Sequence, residues 1–199
     1  LDQRQAFVAP PAGPDARRVP FGDSQVFVYR LPARWQLRRD AQEVGQAEGW
    51  FAPDLDTAGW GGYRTDLKVG WEEQGFPGTD GSFWFRTRVA VPDTGAGKHT
   101  YLLFAACDEE AWVWLDGQPA GERTAVGTGR DPSVLWLEPF ALDVSGRLPA
   151  GTDHQLAVRV HDTGGMGGLY MPVYVVAADV PLTAAQMVGL LPERNPYAR

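Results

Sequence analysis

Hydrophobic and polar side chains alternate along several short segments of this chain. In the segment 83–90, Phe83 and Phe85 fall on one face, and Trp84 and Arg86 fall on the other. Successive side chains of a β-strand point to opposite faces of its sheet, so this alternation predicts a strand. Trp84 is expected to pack against the sheet, and Arg86 beside it is expected to be an ion-pair partner.

The same alternation recurs at 24–31, 112–115 and 154–161, and apolar runs of strand length occupy 100–106 and 169–177. Glycine, proline and aspartate separate these segments. Short strands at fairly regular intervals, with turn residues between them and almost no helix, indicate an all-β fold. The sequence therefore predicts an antiparallel β-sandwich.

Local signals mark turns and one short helix. The dipeptide Asp116-Gly117 between two strand-like segments predicts a β-hairpin, and the stretch 92–97 predicts another turn. Thr183 is a typical N-cap residue, so a short helix is predicted to follow it, up to Leu190.

Other stretches lack a sustained period. The stretch 33–60 is predicted to be a long loop, fastened to the body of the protein by Trp35, Trp50 and Trp60. The glycine-rich stretch 124–133 is also predicted to be a loop. It leads into a strand-like stretch at 134–144 that Pro139 interrupts.

Three regions follow from these patterns. Residues 1–22 are rich in proline and without periodicity, which predicts an N-terminal arm or linker. Residues 23–180 form the predicted β-sandwich domain. Residues 181–199 form a C-terminal extension that carries the short helix.

Composition excludes some classes of partner. The net charge is −7, whereas nucleic-acid binding requires a positive surface. No apolar run approaches the roughly 18 residues of a membrane span.

Cys107 is the single cysteine, so no disulfide within the chain is expected, and its apolar neighbours predict a core residue. The chain begins at Leu1 without a leader-like segment, which we interpret as a mature chain or a segment of something larger.

Short motifs run through the chain in a fixed order: Gly59-Trp60, Asp80-Gly81-Ser82-Phe83-Trp84-Phe85-Arg86, Val113-Trp114-Leu115-Asp116-Gly117 and Gly167-Gly168-Leu169. Over residues 33–178 this series resembles the galactose-binding-like jelly-roll domain that precedes the catalytic barrel in glycoside hydrolase family 2 enzymes. Asp116 stands where that family typically has asparagine. The resemblance implies a non-catalytic, secreted or periplasmic β-sandwich that binds carbohydrate or buttresses a catalytic domain.

Three glycine-rich loops carry residues suited to sugar recognition. Aromatic rings stack on the C–H faces of a pyranose, and charged groups form hydrogen bonds with its hydroxyls. The predicted sugar-binding residues are Trp71, Glu72, Glu73, Asp80, Arg130, Trp136, Asp162 and Tyr170. The alternative is that Trp71 and Trp136 cover the open end of the core while the acidic residues are solvated.

A catalytic site of its own is not expected. Glu72 and Glu73 are adjacent and diverge, which makes them a poor acid/base pair. The acidic residues at 108–110 are expected to lie in a solvated turn, and no nucleophile, zinc or nucleotide motif is present. The alternatives are a structural domain that docks on a catalytic domain or on a second copy, and an enzyme that uses Glu73 or Asp162.

No cofactor is expected, apart from a structural calcium ion of the kind that galactose-binding-like sandwiches often hold. Calcium requires several oxygen ligands. Asp54, Asp56 and Asp66 are the candidates, although their spacing matches no dedicated calcium loop.

Overall fold

The computed structural model describes residues 15–92 and 97–197. The strands in these ranges are β1 (Ala16–Phe21), β2 (Ser24–Arg30), β3 (Arg34–Arg39), β4 (Gly61–Arg64), β5 (Gly81–Ala90), β6 (His99–Phe104), β7 (Glu110–Leu115), β8 (Gln118–Arg123), β9 (Phe140–Asp143), β10 (Asp153–Asp162) and β11 (Val173–Ala178). The helices are α1 (Ala125–Thr128), α2 (Pro132–Leu135) and α3 (Ala184–Gly189), with a 3-10 turn at Trp71–Gln74.

The strands form two sheets in which every pairing is antiparallel. One sheet has the order β1-β2-β11-β6-β9, and the other has the order β4-β3-β5-β10-β7-β8. The predicted antiparallel β-sandwich is confirmed. In the described part of the chain, no helix is long and apolar enough to cross a membrane.

Strand β1 lies inside the segment 1–22, and all six of its residues pair with β2. The first sheet therefore begins within the predicted arm. Residues 1–14 of that arm and residues 93–96 of the predicted turn lie outside the described residues.

The main core lies between the two sheets. Phe83 and Phe85 of β5, with Val158 and Val160 of β10, are fully buried there and pack in one cluster with residues of the facing sheet such as Leu102. These are the apolar positions of the alternating segments. Every second residue of these strands therefore faces the core, as the alternation predicted.

A second apolar layer covers the outer face of the six-stranded sheet. Trp84 is fully buried, with its ring centroid 4.9 Å from that of Trp114 and 6.3 Å from that of Trp50. Phe51 stacks on Trp114 at 5.2 Å. The loop 40–60 therefore packs on the sheet through its aromatic side chains, as the prediction for Trp50 and Trp84 required.

The prediction that Arg86 is an ion-pair partner is wrong. Its side chain is 1% exposed, and its Nη1 and Nη2 donate to the backbone carbonyls of Trp50 and Ala52 at 2.5 and 2.8 Å. Within residues 15–92 and 97–197, no carboxylate pairs with it. Arg86 holds the 40–60 loop by donating to two carbonyl groups of its irregular backbone, of which that of Ala52 also accepts from the N–H of Leu55.

The C-terminal segment covers the outer face of the other sheet. Leu182 and the fully buried Met187 pack in one cluster with Val28 and Val176 of the sheet. Thr183 caps α3 as predicted, since its side chain accepts a hydrogen bond from the N–H of Gln186.

The sequence pattern missed β3, β4, α1 and α2. Trp35, which was predicted to fasten the 33–60 loop, belongs to β3 and is buried in the main core. Thr124 and Asp131 cap the single-turn helices α1 and α2 in the predicted glycine-rich loop, and the predicted strand at 134–144 begins only at Phe140. Elements of four to six residues contain too few periods to stand out from a loop composition.

Two residue-level predictions are confirmed. Asp116 and Gly117 have φ of 51° and 76° at the hairpin between β7 and β8, the left-handed conformations that the tight turn needs. Cys107 is fully buried, and burial raises the pKa of its thiol to about 12.

The packing of the outer aromatic layer predicts that alanine substitutions of two tryptophans differ in their cost in stability. Trp84→Ala should lower the free energy of unfolding by about 3–5 kcal/mol because it opens a cavity under the loop. Trp112→Ala is the matched control, since Trp112 is a half-buried member of the same layer with the Arg159 guanidinium over its ring, and it should cost about 1 kcal/mol. Urea unfolding of both variants checks this, and equal losses would contradict the assigned packing.

Candidate functional site

A cavity of about 360 Å³ opens at the end of the sandwich where β6 leads into β7 and the loop after β10 folds over. One side of this cavity is acidic and the other is aromatic. Its lining residues are Asp108, Glu109, Ser133, Trp136, Gly164, Gly165, Met166 and Tyr197. We refer to it as the end cavity.

The acidic side consists of Asp108, Glu109 and Asp162, each with an oxygen within 4.8 Å of the others. All three are buried, with exposed fractions of 3%, 4% and 1%. The expectation of a solvated turn is therefore wrong for Asp108 and Glu109. The reason is that the loop after β10 covers the turn, with Thr163 donating from N and Oγ1 to the Glu109 carboxylate at 2.8–2.9 Å.

The three carboxylates have unusual electrostatics. Burial raises the pKa of Asp108 to about 9, and the negative charge of Asp162 adds to the rise. Within the described part of the chain, one carboxylate oxygen of Asp108 and one of Asp162 are buried without a hydrogen-bond partner. At neutral pH Asp108 therefore carries a proton, which lets it donate a hydrogen bond as well as accept one.

The buried side chain of Arg123 holds the backbone of the acidic side through hydrogen bonds. Its Nη2 donates to the carbonyls of Cys107, Asp108 and Glu109 at 2.8, 3.1 and 3.0 Å. Its Nη1 donates to the carbonyls of Leu135 and Glu138 at 2.9 and 2.6 Å. One buried guanidinium thus joins the acidic turn to the segment that carries Trp136.

The aromatic side is built from three rings. Trp136 lies 6.1 Å from Tyr197 and 6.5 Å from Tyr170 between ring centroids. Tyr170 is fully buried and donates from its hydroxyl to the Trp136 carbonyl at 2.5 Å. Trp136 is half-buried and Tyr197 is 37% exposed, so these two rings face the opening while Tyr170 supports them.

Trp71 does not face the cavity. It is fully buried, stacks on Phe83 with 4.0 Å between centroids, and donates from Nε1 to the Thr79 carbonyl at 2.7 Å. A Cβ at Gly167 would lie only 2.1 Å from its ring. Trp71 is therefore part of the core, as the alternative interpretation held for this residue, and it has no free face for a ligand.

The other predicted residues are spread over this end of the protein. Glu72 accepts hydrogen bonds from the N–H of Gly167 and holds the loop after β10, and burial raises the pKa of its carboxyl. Glu73 and Asp80 are exposed, and Arg130 forms an exposed ion pair with Glu138 at 2.7 Å.

The structure therefore brings together three of the eight predicted residues, Trp136, Asp162 and Tyr170. Sequence reasoning missed Asp108, Glu109, Ser133, Met166 and Tyr197 as parts of the site. The position of Asp108 and Glu109, shortly after the apolar run 100–106, could have indicated that they lie at the end of a buried strand. Nothing local marked Tyr197, which reaches the cavity only through the fold of the C-terminal segment.

Asp108, Glu109 and Asp162 are also the described carboxylates that lie close enough to share a metal ion. Asp54, Asp56 and Asp66 do not form such a group within the described residues. Asp56 accepts a hydrogen bond from the N–H of Ala58, and Asp66 forms an ion pair with Arg64. The calcium ion remains a prediction.

No protein-family model and no curated protein matches this sequence. Solved structures do match. A β-glucuronidase from Ruminococcus gnavus in complex with D-glucuronic acid aligns with a TM-score of 0.64 and 16% identity, over 80% of this chain and 31% of that chain. A β-glucuronidase from the same organism in complex with D-glucaro-d-lactam aligns with a TM-score of 0.64 and 15% identity, over 80% and 30%.

These matches establish the fold. Because the sequence identity is only 15–16%, the matches do not assign functions to individual residues of this chain. The chain spans less than a third of the length of these glycoside hydrolase chains. This protein has the fold of a β-sandwich that occurs as one part of a longer β-glucuronidase chain. The galactose-binding-like type of sandwich remains a prediction.

The buried acidic group predicts a pH-dependent stability. The pKa of Asp108 in the folded state, about 9, lies above its ordinary value of 3.8. The contribution of Asp108 to the free energy of unfolding is therefore complete below about pH 4. This contribution is lost as the pH rises towards 9, by up to about 1.4 kcal/mol per pH unit. Asp108→Asn should remove this slope. Urea unfolding at several pH values between 5 and 8 would show the free energies of the two proteins diverging.

The control for this experiment is Asp131→Asn. Asp131 is exposed, and asparagine keeps its capping role. Its stability curve should follow that of the wild type. Parallel curves for Asp108→Asn and the wild type would contradict the assigned protonation.

Proposed function

We propose that this chain is a non-catalytic carbohydrate-binding β-sandwich domain that accompanies a catalytic domain of the glycoside hydrolase type. The observation that carries this proposal is the end cavity, in which two accessible aromatic rings face buried carboxyl groups. Such a combination of apolar surface with a few placed polar groups is typical of small-molecule sites.

The aromatic side would supply the stacking surface. Trp136 and Tyr197 offer rings at the opening, and the C–H face of a pyranose packs on such rings while its hydroxyls point away from them. Tyr170 holds Trp136 in place through the hydrogen bond to its carbonyl. The rings therefore need little reordering on binding, which favours affinity.

The acidic side would supply the directional contacts. Glu109 is held by Thr163, so its carboxylate is fixed as an acceptor for sugar hydroxyls. Asp108 keeps its proton at neutral pH and offers a donor beside it. Ser133 adds a hydroxyl on the lining of the same cavity.

The structural matches support the accessory role. The chain corresponds to about 30% of each matched β-glucuronidase, which suits a domain that works beside a catalytic one. A second candidate function is docking, either on such a domain or on a second copy of this chain. Its support is that Leu137, next to Trp136, and Tyr197 are each 37% exposed, which places apolar surface at the end cavity.

The proposal predicts that Trp136→Ala abolishes carbohydrate binding, because the variant removes the larger accessible ring of the cavity. Isothermal titration calorimetry against a panel of neutral mono- and oligosaccharides measures this, with tryptophan fluorescence as a second readout. Trp112→Ala is the matched control, since Trp112 lies on the outer face of the six-stranded sheet and should leave binding intact.

The result also separates the two candidates. Binding that Trp136→Ala abolishes and Trp112→Ala preserves supports the sugar site. Absence of binding across the panel, together with self-association that is lost in Trp136→Ala, would support docking through a second copy and would overturn the sugar site.

A further inference from the structure

A second cavity, of about 440 Å³, lies on the outer face of the six-stranded sheet. It is near the end of β5 that carries Arg88, whereas the end cavity lies near the Gly81 end. Its polar lining comes from three neighbouring strands and the 40–60 loop: Arg34, Gln36, Thr57, Arg86, Thr87, Arg88 and Gln155. We refer to it as the basic cavity.

The buried charge of Arg86 is the first unusual feature of the basic cavity. Both Nη atoms donate to neutral backbone carbonyls, and within the described residues its Nε is buried without a partner. Burial, and then the nearby positive charge of Arg88, hold the pKa of Arg86 below its usual value. A cation removed from water and not neutralised by an ion pair is costly, so a nearby anion would be stabilising.

The remaining charges around the basic cavity do not supply that anion. Arg88 forms an ion pair with Asp153 at 2.7 Å, and Asp54 lies within electrostatic reach of Arg86. Neither aspartate lines the cavity, and no other described residue contributes a carboxylate to it. In residues 15–92 and 97–197, the exposed Arg34 guanidinium has no ion-pair or hydrogen-bond partner.

A basic lining is unexpected in a chain of net charge −7. Non-specific attraction of polyanions by the whole protein is therefore excluded, because its overall field repels them. Any affinity for anions has to come from the local arrangement of the three arginines.

The uncharged side chains complement hydroxyl groups. The amide nitrogen of Gln155 donates to the carbonyls of Thr87 and Leu156 at 2.9 Å, which leaves its Oε1 as an acceptor. The Thr57 hydroxyl accepts a hydrogen bond from Gln36 at 2.7 Å and keeps its own proton for donation. Donors and acceptors thus flank the arginines.

We propose that the basic cavity binds an oxyanion carried by a polyhydroxylated ligand, namely the carboxylate of a uronic acid unit or the sulfate ester of a sulfated polysaccharide. Arg34 and Arg88 make the direct contacts, since planar guanidinium groups match carboxylate and sulfate oxygens. Arg86 acts from beneath through its buried charge. This site is separate from the end cavity and does not depend on sugar binding there.

The test is calorimetric titration of the intact chain with polygalacturonate and with dextran sulfate, and with methyl-esterified pectin and dextran as neutral counterparts. Binding to at least one polyanion and to neither neutral polymer is expected. Arg34→Gln should weaken that binding about tenfold, the loss typical of one hydrogen bond to a charged group. Arg88→Gln should weaken it in the same direction. The polyanion that binds identifies carboxylate or sulfate as the group recognised.

Arg39→Gln is the matched control. Arg39 is exposed at the other end of β3 and does not line the basic cavity, so this variant should bind as the wild type does. Thermal unfolding verifies that all three variants are folded. Lack of binding to both polyanions, or an equal loss in Arg39→Gln and Arg34→Gln, would overturn the proposal. Trp136→Ala should keep polyanion binding, which separates this site from the proposed sugar site.

Discussion

The pairing of β5 with β10 determines the positions of both cavities. The two strands are antiparallel along ten residue pairs, from Asp153 opposite Ala90 to Asp162 opposite Gly81. This register puts Asp162 at one end of the pair, beside the acidic turn, and Gln155 opposite Arg88 near the other end. Because the side-chain period of a strand is two, a slip of one residue would exchange core and surface along the whole pair. The apolar core face therefore specifies, indirectly, where the polar groups of both cavities lie.

Buried arginines connect irregular segments to the sandwich on both sides. Arg123 joins the acidic turn to the segment carrying Trp136, and Arg86 attaches the 40–60 loop to the outer face of the sheet. In each case the guanidinium donates to backbone carbonyls of irregular segments, and such carbonyls must be satisfied when they are buried. Since a guanidinium presents five donors in a fixed plane, one side chain can reach several carbonyls. The loops that form the cavities are thereby ordered by polar contacts, while the sandwich itself is ordered by apolar packing.

The two cavities have opposite electrostatic character. At the end cavity, burial and then the neighbouring carboxylates of Asp162 and Glu109 raise the pKa of Asp108; at the basic cavity, a buried guanidinium lies near a second one. Both arrangements oppose folding when these groups are charged, since burial and a nearby like charge disfavour the charged forms of Asp108 and Arg86. Such costs are tolerated mainly at functional positions, where a ligand or a proton relieves them. This is the physical basis for treating both cavities, and not the aromatic loop at Trp71, as sites.

The sequence by itself determined the fold class, the hairpin at Asp116-Gly117, the cap at Thr183 and the core role of Cys107. These features depend on local periods and local turn chemistry, which the sequence displays directly. It also indicated Trp136, Asp162 and Tyr170 as neighbours. Only the tertiary structure decided that Trp71 is core, that Asp108 and Glu109 are buried, and that Tyr197 completes the aromatic wall. Each of these outcomes depends on which segment, distant in the sequence, packs over the residue. Local alternation and short motifs contain no information about such contacts.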